Sequence, residues 1–357
     1  MDSQQFIEWL KKESLFDTVE KNYHHFQNVL RNCLQVQQHE EVLIIGDTGY
    51  PTRRVPALVL GCYVVAAKRL GLRYKFAVQK PKERGEEADE AVVEALLNHS
   101  EGNIVIWALS GRIGSLSVIG NSFRKFVQSH NHRFISTPSL GLLKTSKFSE
   151  IIQSMDVDYK KMSEDGKKIK EKLDAGKELR VMTDAGTNLN FDITLKKAIS
   201  NDGSYITPGF GGNLPAGEVY MPPRKKGVNG IVVIDACSRN LNQSLVVKNP
   251  IKLTIENGSI TQIEGQEEAK ALQESLEWAE AHATYPWGIR RIGEFGIGIN
   301  PKARITDSTL ISEKVLGTAH IAIGSNYWFG GTIFAIIHLD QVFRKPKIWI
   351  DDERLII

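Results

Sequence analysis

The sequence predicts an α/β fold in which an N-terminal parallel-sheet, Rossmann-like domain is followed by an α+β, mostly antiparallel domain. Two observations support this prediction. In the first half, short apolar runs alternate with helical patterns, which is typical of a parallel sheet covered by helices. In the second half, short alternating strands are separated by glycine-rich turns. A length of 357 residues is sufficient for both domains.

The first half begins with two predicted helices. Asp2 or Ser3 can cap the first, whose apolar residues repeat at helical spacing, and the second covers residues 19–34. Strands and helices then alternate as expected for a parallel sheet. The predicted strands lie in EEVLIIGDTG, LRYKFAVQ, NIVIWALSG and HRFISTPS, and the predicted helices cover residues 55–70, 88–98 and 122–129.

Two features of this half could suggest a functional site. Gly46-Asp47-Thr48-Gly49 follows a strand where related folds bind nucleotides, but it has neither G-x-G-x-x-G nor a Walker lysine, so a tight turn is the favoured interpretation. The histidines of this half lie mostly next to polar residues, and surface or capping roles are expected for them. These histidines are His24, His25, His39, His99, His130 and His132.

A charged helix predicted over residues 148–177 separates the halves and places the domains at 1–176 and 177–357. In the second domain, alternating residues on both sides of Asn257-Gly258 predict a β-hairpin. A helix is predicted over residues 267–283, and the chain ends on another hairpin, KIWIDDERLII.

Composition limits the partners and the compartment. The net charge of +3 is too small to indicate a nucleic-acid partner. The three cysteines have no metal-ligand or paired spacing, as expected for free thiols in a reducing compartment. The first residues do not resemble a signal peptide, and no window approaches ~18 uninterrupted apolar residues. We therefore expect a cytoplasmic protein that binds neither nucleic acid nor membranes.

Most side chains able to hold a metal lie between Glu294 and Asp340. His338 and Asp340 are two residues apart in IIHLD, so on a strand they project from one face and can reach one ion together. An aspartate in this apolar run would be costly without a cation or a donor. A hydrogen-bonded His–Asp pair in the core is the alternative.

Three further residues could join this group. Glu294 shares its strand face with two glycines, which leave room for another group to approach, although a bulge or bend explains them equally well. His320 lies on an alternating strand, where a lone histidine is more often a core residue. Glu218 lies in the proline-rich segment NLPAGEVYMPP and could equally be at the surface.

With these motifs, the chain resembles the aminopeptidase T / aminopeptidase S family of metallopeptidases. The NLPxxEV segment, the glutamate after a glycine, the histidine followed seven residues later by Tyr327, and the H-x-D motif occur in the family's order. The chain departs from the family at Val315, where the family has a glutamate; the nearest carboxylate is Glu313. The metal ligands that the resemblance implies are Glu218, Glu294, His320, His338 and Asp340.

The chain is also similar, more distantly, to 2,5-dihydroxypyridine 5,6-dioxygenase. That enzyme holds one iron with two histidines and an aspartate, and has a histidine at the position of Glu294. A histidine there would have suggested the facial triad of a non-haem iron oxygenase. The glutamate favours a hydrolase.

The resemblance implies a metallo-aminopeptidase that releases the N-terminal residue of short peptides, or acts on another small molecule, and forms a homodimer. It implies two divalent ions (Zn, Co or Mg), Tyr327 as a donor to the oxyanion or the ligand shell, and Glu313 as general base unless that residue is solvated. The alternatives are a mononuclear ring-cleaving dioxygenase with Fe(II), and a non-catalytic relative.

Overall fold

The computed structural model describes residues 1–83, 85–116 and 123–356. The chain forms two compact units, one of residues 1–160 with 203–216 and the other of residues 161–202 with 217–357. The division lies at Lys160 and not at the expected residue 176. The predicted charged helix breaks at Asp156, which has non-helical backbone angles (φ −86°, ψ 62°). The helix after the break packs on the second unit, where Gly166 lies against Ser200 and Ile299.

The first unit contains the predicted alternation of helices and strands. Its helices are α1 (Ser3–Lys12), α2 (Phe16–Asn28), α3 (Val55–Arg69), α4 (Glu90–Leu97), α5 (Phe123–Ser129) and α6 (Phe148–Met155), with a π-helical turn at Val29–Cys33. Its strands are β1 (Glu41–Asp47), β2 (Arg73–Gln79), β3 (Ile104–Ala108), β4 (Arg133–Thr137) and, from a later part of the chain, β8 (Gly211–Asn213). Ser122, the predicted start of α5, lies outside the described residues.

These strands form a parallel sheet in the order β2-β1-β3-β4-β8. Asp2 caps α1 as expected, and its carboxylate accepts from the backbone N–H groups of Gln4 and Gln5. Asp47 likewise accepts from the N–H of Gly49, so this segment is a tight turn.

Two of the histidines expected at the surface are buried. His99 and His132 stack with ring centroids 5.0 Å apart. Burial is the largest effect on each and lowers the pKa, to about 4 for His132. The surface or capping role expected from their polar neighbours in sequence is wrong for these two histidines, because their rings lie against strands of the sheet. His99 Nε2, for example, is 3.1 Å from the carbonyl oxygen of Ile104.

The second unit contains two antiparallel sheets, as the alternating pattern predicts. One has the order β14-β13-β10-β6-β5-β18-β19, and the other β12-β11-β17-β16-β15-β9-β7. Phe191 of the first sheet packs on Phe295 of the second, with ring centroids 5.0 Å apart. The strands are β5 (Glu178–Met182), β6 (Asn188–Asp192), β7 (Ile199–Asn201), β9 (Glu218–Met221), β10 (Val228–Ile234), β11 (Cys237–Arg239), β12 (Ser244–Val246), β13 (Ile251–Glu256), β14 (Ser259–Glu264), β15 (Ile292–Gly298), β16 (Thr318–Gly324), β17 (His338–Arg344), β18 (Lys347–Ile350) and β19 (Glu353–Leu355).

The remaining helices are α7 (Tyr159–Ala175), α8 (Glu267–His282) and α9 (Thr309–Ser312). The hairpin predicted at Asn257-Gly258 is confirmed, and both residues have positive φ. The three cysteines are buried and form no disulfide bond. Of the helices described here, none combines the length and the apolar character needed to span a bilayer.

Candidate metal centre

Four neighbouring strands carry the predicted metal ligands. Glu218 begins β9, Glu294 lies in β15, His320 in β16, and His338 and Asp340 in β17. Because these strands are adjacent in the order β17-β16-β15-β9, side chains that project from one face of the sheet meet. The sheet thereby brings Glu218 to the other predicted ligands, from which it is distant in sequence.

His338 and Asp340 lie side by side, as their spacing predicts. Asp340 Oδ1 is 3.1 Å from His338 Nε2, and the Nδ1 of the same ring donates to the carbonyl oxygen of Ser325 at 2.8 Å. This second contact fixes the ring orientation and leaves Nε2 directed at the carboxylates, the arrangement usual for metal-bound histidines. Both side chains are partly accessible to solvent.

The carboxylate of Glu294 lies between two imidazoles. Its Oε1 is 3.1 Å from Nε2 of His320, and its Oε2 is 3.6 Å from Nε2 of His338. Glu294, His320 and Asp340 each offer a ligand atom, all within 4.8 Å of one another. The predicted convergence of these residues on one locus is therefore present in the fold.

Gly296 and Gly298 leave room for neighbouring groups. This was one of the two explanations offered for these glycines, the other being a bulge or bend in the strand. A Cβ on Gly296 would lie 2.2 Å from Cε1 of His320, and one on Gly298 would lie 2.2 Å from the carbonyl oxygen of Val315. The His320 ring therefore occupies the space that any other residue would fill at position 296.

A buried lysine pairs with the other carboxylates. Lys314 is fully buried, and its Nζ lies 2.5 Å from Glu218 Oε1 and also contacts Glu313 Oε1. The alternative interpretations of Glu218 at the surface and Glu313 in solvent are wrong, because both side chains are buried. Glu218, Glu313 and His320 form a second group whose ligand atoms lie within 4.8 Å of one another.

The close packing of carboxylates shifts the pKa values of side chains in both candidate groups. Burial alone would lower the pKa of both histidines, but Glu294 raises that of His320 to about 9, and Asp340 raises that of His338 to about 10. Burial raises the pKa of Glu313, and Lys314 opposes this effect. Burial would lower the pKa of Lys314, but Glu218 and Glu313 hold it well above its usual range. The same negative field that holds protons on the rings would attract a divalent cation.

Aromatic side chains border the accessible side. Trp328 is 45 % exposed, and its ring centroid lies 5.0 Å from that of His338. Tyr327, the predicted oxyanion donor, is 64 % exposed and packs edge-on against Phe334. The described contacts of Tyr327 do not include one with the carboxylate group, so its role stays a prediction.

The donor set fits a divalent metal. Imidazole and carboxylate are ligands for zinc and for non-haem iron, and His320 Nδ1 is buried without a hydrogen-bond partner among the described residues. Lys314 was not predicted to belong to the site, because a lysine beside a glutamate usually indicates a solvated position. The available signal was the apolar sequence on both sides of it, TLIS before Glu313 and VLG after Lys314.

Comparison with known proteins assigns the family. The family model described as NicX, 2,5-dihydroxypyridine 5,6-dioxygenase, matches residues 21–357. The chain belongs to this family. Both resemblances inferred from the motifs, to the aminopeptidases and to the dioxygenase, are thus supported. The dioxygenase resemblance was expected to be the more distant of the two, but its family model covers nearly the whole chain.

Among curated relatives, the chain is 26 % identical over 194 residues to 2,5-dihydroxypyridine 5,6-dioxygenase of Pseudomonas putida, covering 52 % of this chain and 54 % of that protein. It is 29 % identical over 150 residues to aminopeptidase AmpS of Bacillus subtilis, covering 40 % of this chain and 34 % of the relative. The matched segments thus span about half of the first relative and about a third of the second.

Solved structures of both kinds share the fold. The dioxygenase of Pseudomonas putida superposes with a TM-score of 0.74 at 17 % identity, covering 95 % of this chain and 96 % of the other. AmpT of Thermus thermophilus superposes with a TM-score of 0.61 at 16 % identity, covering 97 % of each chain. The relatives are enzymes of two reaction classes built on one fold.

Proposed function

We propose that this protein is a metal-dependent hydrolase that releases the N-terminal residue of short peptides. The observation that supports the proposal is the carboxylate of Glu294 between His320 and His338. Asp340 lies beside His338, so that together these residues offer two imidazoles and two carboxylates. Such a set suits a Lewis-acidic ion that keeps one or two positions open for water and a carbonyl oxygen.

A divalent ion held there supplies Lewis acidity and lowers the pKa of a bound water. The protein contributes orientation, because Ser325 fixes the ring of His338 and the strand pairing of β15 with β16 fixes Glu294 against His320. The buried Glu313 can take a proton from water in its carboxylate form. Lys314 holds Glu313 in place.

A dioxygenase that opens an aromatic diol is the second candidate. It is favoured by the extent of the family match and by Trp328, whose exposed ring beside His338 offers an apolar surface for a flat substrate. His320, His338 and one carboxylate would form the two-histidine, one-carboxylate set of non-haem iron enzymes. Glu294 then would be an additional carboxylate ligand.

Metal analysis combined with two activity assays separates these candidates. The purified protein is loaded anaerobically with Zn²⁺, Co²⁺ or Fe²⁺, and assayed with a panel of aminoacyl amides and, separately, for oxygen consumption on 2,5-dihydroxypyridine. Amide hydrolysis with zinc or cobalt supports the hydrolase. Oxygen consumption that requires iron, without amide hydrolysis, would replace it by the dioxygenase.

Two variants connect the activity to the site. Glu294→Gln keeps the size of the side chain and removes the charge between the imidazoles, so we expect a loss of about 100-fold or more in metal affinity and in hydrolysis. Glu264→Gln is the matched control, because Glu264 lies on β14 in an exposed pair with Lys252. Equal activity of the two variants would exclude Glu294 from the reaction.

A further inference from the structure

We propose that Lys314 is a built-in cation that takes the place of a second metal ion, so that this centre holds a single divalent ion at Glu294, His320, His338 and Asp340. The inference rests on the metal-binding part of the proposed function but not on the reaction. It departs from the two-ion centre that the aminopeptidase resemblance implies.

The position of the ammonium group is the first argument. Lys314 Nζ lies 2.5 Å from Glu218 Oε1 and in contact with Glu313 Oε1, so it pairs with both carboxylates of the second candidate group. A divalent ion bound to the same two carboxylates would lie within a few ångströms of a positive charge. At such a distance in a protein interior the repulsion is strong.

The ammonium group has little freedom to leave. The side chain of Lys314 is fully buried, and its backbone is held on both sides: its carbonyl oxygen accepts from the N–H of Asn300 at 2.7 Å, and its N–H donates to Ile311 at 3.1 Å. Moving the charge to solvent would leave the buried carboxylates of Glu218 and Glu313 without their cation, although Glu218 would keep a hydrogen bond from the amide of Asn201 at 3.1 Å. Two buried carboxylates without a neutralising charge are unfavourable.

Charge balance gives the second argument. The group contains four carboxylates, and Lys314 offsets one of these negative charges. The guanidinium of Arg239 adds a further positive charge in the neighbourhood of Asp340, although the two side chains form no ion pair among the described residues. With both cations counted, one divalent ion bound by neutral imidazoles balances the four carboxylates, whereas two ions would leave an excess of positive charge in a buried site. The four carboxylates are those of Glu218, Glu294, Glu313 and Asp340.

Accessibility gives the third argument. The side chains of His338 and Asp340 are 23 % and 17 % exposed, whereas that of Lys314 is not exposed at all. The single ion therefore lies on the side that water and substrate can reach. The closed side is occupied by a charge that the chain carries itself.

The test is a count of bound ions in the folded protein. Wild-type protein is dialysed against Zn²⁺ and, separately, Co²⁺, and ions per chain are measured by native mass spectrometry and by elemental analysis. We expect one. In Lys314→Met the aliphatic chain keeps most of the volume while the charge is lost, and we expect a second ion to bind. Lys252→Met is the control, because the side chain of Lys252 is exposed in its pair with Glu264, and this variant should still bind one ion.

The outcomes separate this inference from the proposed function. Two ions in the wild type, or a single ion in Lys314→Met, would overturn the inference and leave the hydrolase intact. A second ion in Lys314→Met without amide hydrolysis by the wild type would overturn the hydrolase and support the inference. No bound ion would overturn both. If Lys314→Met does not fold, Lys314→Gln replaces it in the same count, because its neutral amide can still donate a hydrogen bond to the carboxylates of Glu218 and Glu313.

Discussion

Gly296 faces His320 across the β15–β16 pair, and the imidazole occupies the space where a Cβ at position 296 would lie, 2.2 Å from Cε1. We expect Gly296→Ala to displace the ring, to lower the free energy of unfolding by about 1–3 kcal/mol and to reduce metal binding. Gly111→Ala is the control, because a Cβ there meets no atom within 4 Å. Thermal unfolding and metal content of the two variants provide the measurement. An undisturbed metal content in Gly296→Ala would contradict the tight fit.

Trp328 offers a test of the accessible side. Its ring lies beside His338, so Trp328→Ala should raise KM by about 2- to 10-fold, as expected for one lost aromatic contact, without changing metal content. Trp278→Ala is a matched control, since Trp278 is similarly exposed and stacks on His282 of α8. Steady-state kinetics on the substrate found for the wild type would measure the effect. If both variants have the same KM, Trp328 does not contact substrate.

Metal binding should stabilise the protein. An ion that binds the folded chain and not the unfolded one adds about 2.7 kcal/mol at a free concentration of 100 times Kd. We expect EDTA to lower Tm and added Zn²⁺ to restore it, with no comparable response in Glu294→Gln. Differential scanning calorimetry at fixed pH measures this effect. A Tm that EDTA does not change would indicate that the centre is not loaded with metal.

The stacked histidines of the first unit predict an acid sensitivity. Burial, the largest effect, lowers the folded-state pKa of His132 to about 4 from an unfolded value of 6.5. As the pH falls from 6.5 towards 4, the unfolded state takes up a proton that the folded state resists, so stability present above pH 6.5 is lost over this interval.

Replacing His132 should reduce this dependence. His132→Asn removes the titrating group, and we expect a smaller change in urea midpoint between pH 7.5 and pH 5 than in the wild type. Exposed His39→Asn is the control. A wild-type midpoint that does not change over this interval would show that the buried ring is not linked to stability.

Local patterns predicted the order of the elements. β1, α3 and the Asn257-Gly258 hairpin follow from apolar periodicity and turn chemistry within a few residues of the observed bounds. Strand β8 was missed, because Gly211 and Gly212 have no strand preference and pair with β4 only through tertiary contacts. The division at Lys160 was missed for a similar reason: it depends on where residues 203–216 pack.

In the candidate site, too, local sequence patterns predicted some features but not those that depend on tertiary contacts. The same-face position of His338 and Asp340 follows from strand geometry, and the structure confirms it. Strand pairing in space decides whether Glu218 is buried, and no pattern near that residue encodes it. Lys314 was not identified, because the burial of a lysine depends on the two carboxylates that other elements bring to it.

The pairing of Lys314 with Glu218 and Glu313 has a consequence for assembly in the cell. Part of the negative charge of the centre is neutralised by the chain itself, so the sheet does not depend on an ion to close around these carboxylates. We therefore expect the chain to fold before it binds metal, so that the supply of metal would control activity in protein that is already folded.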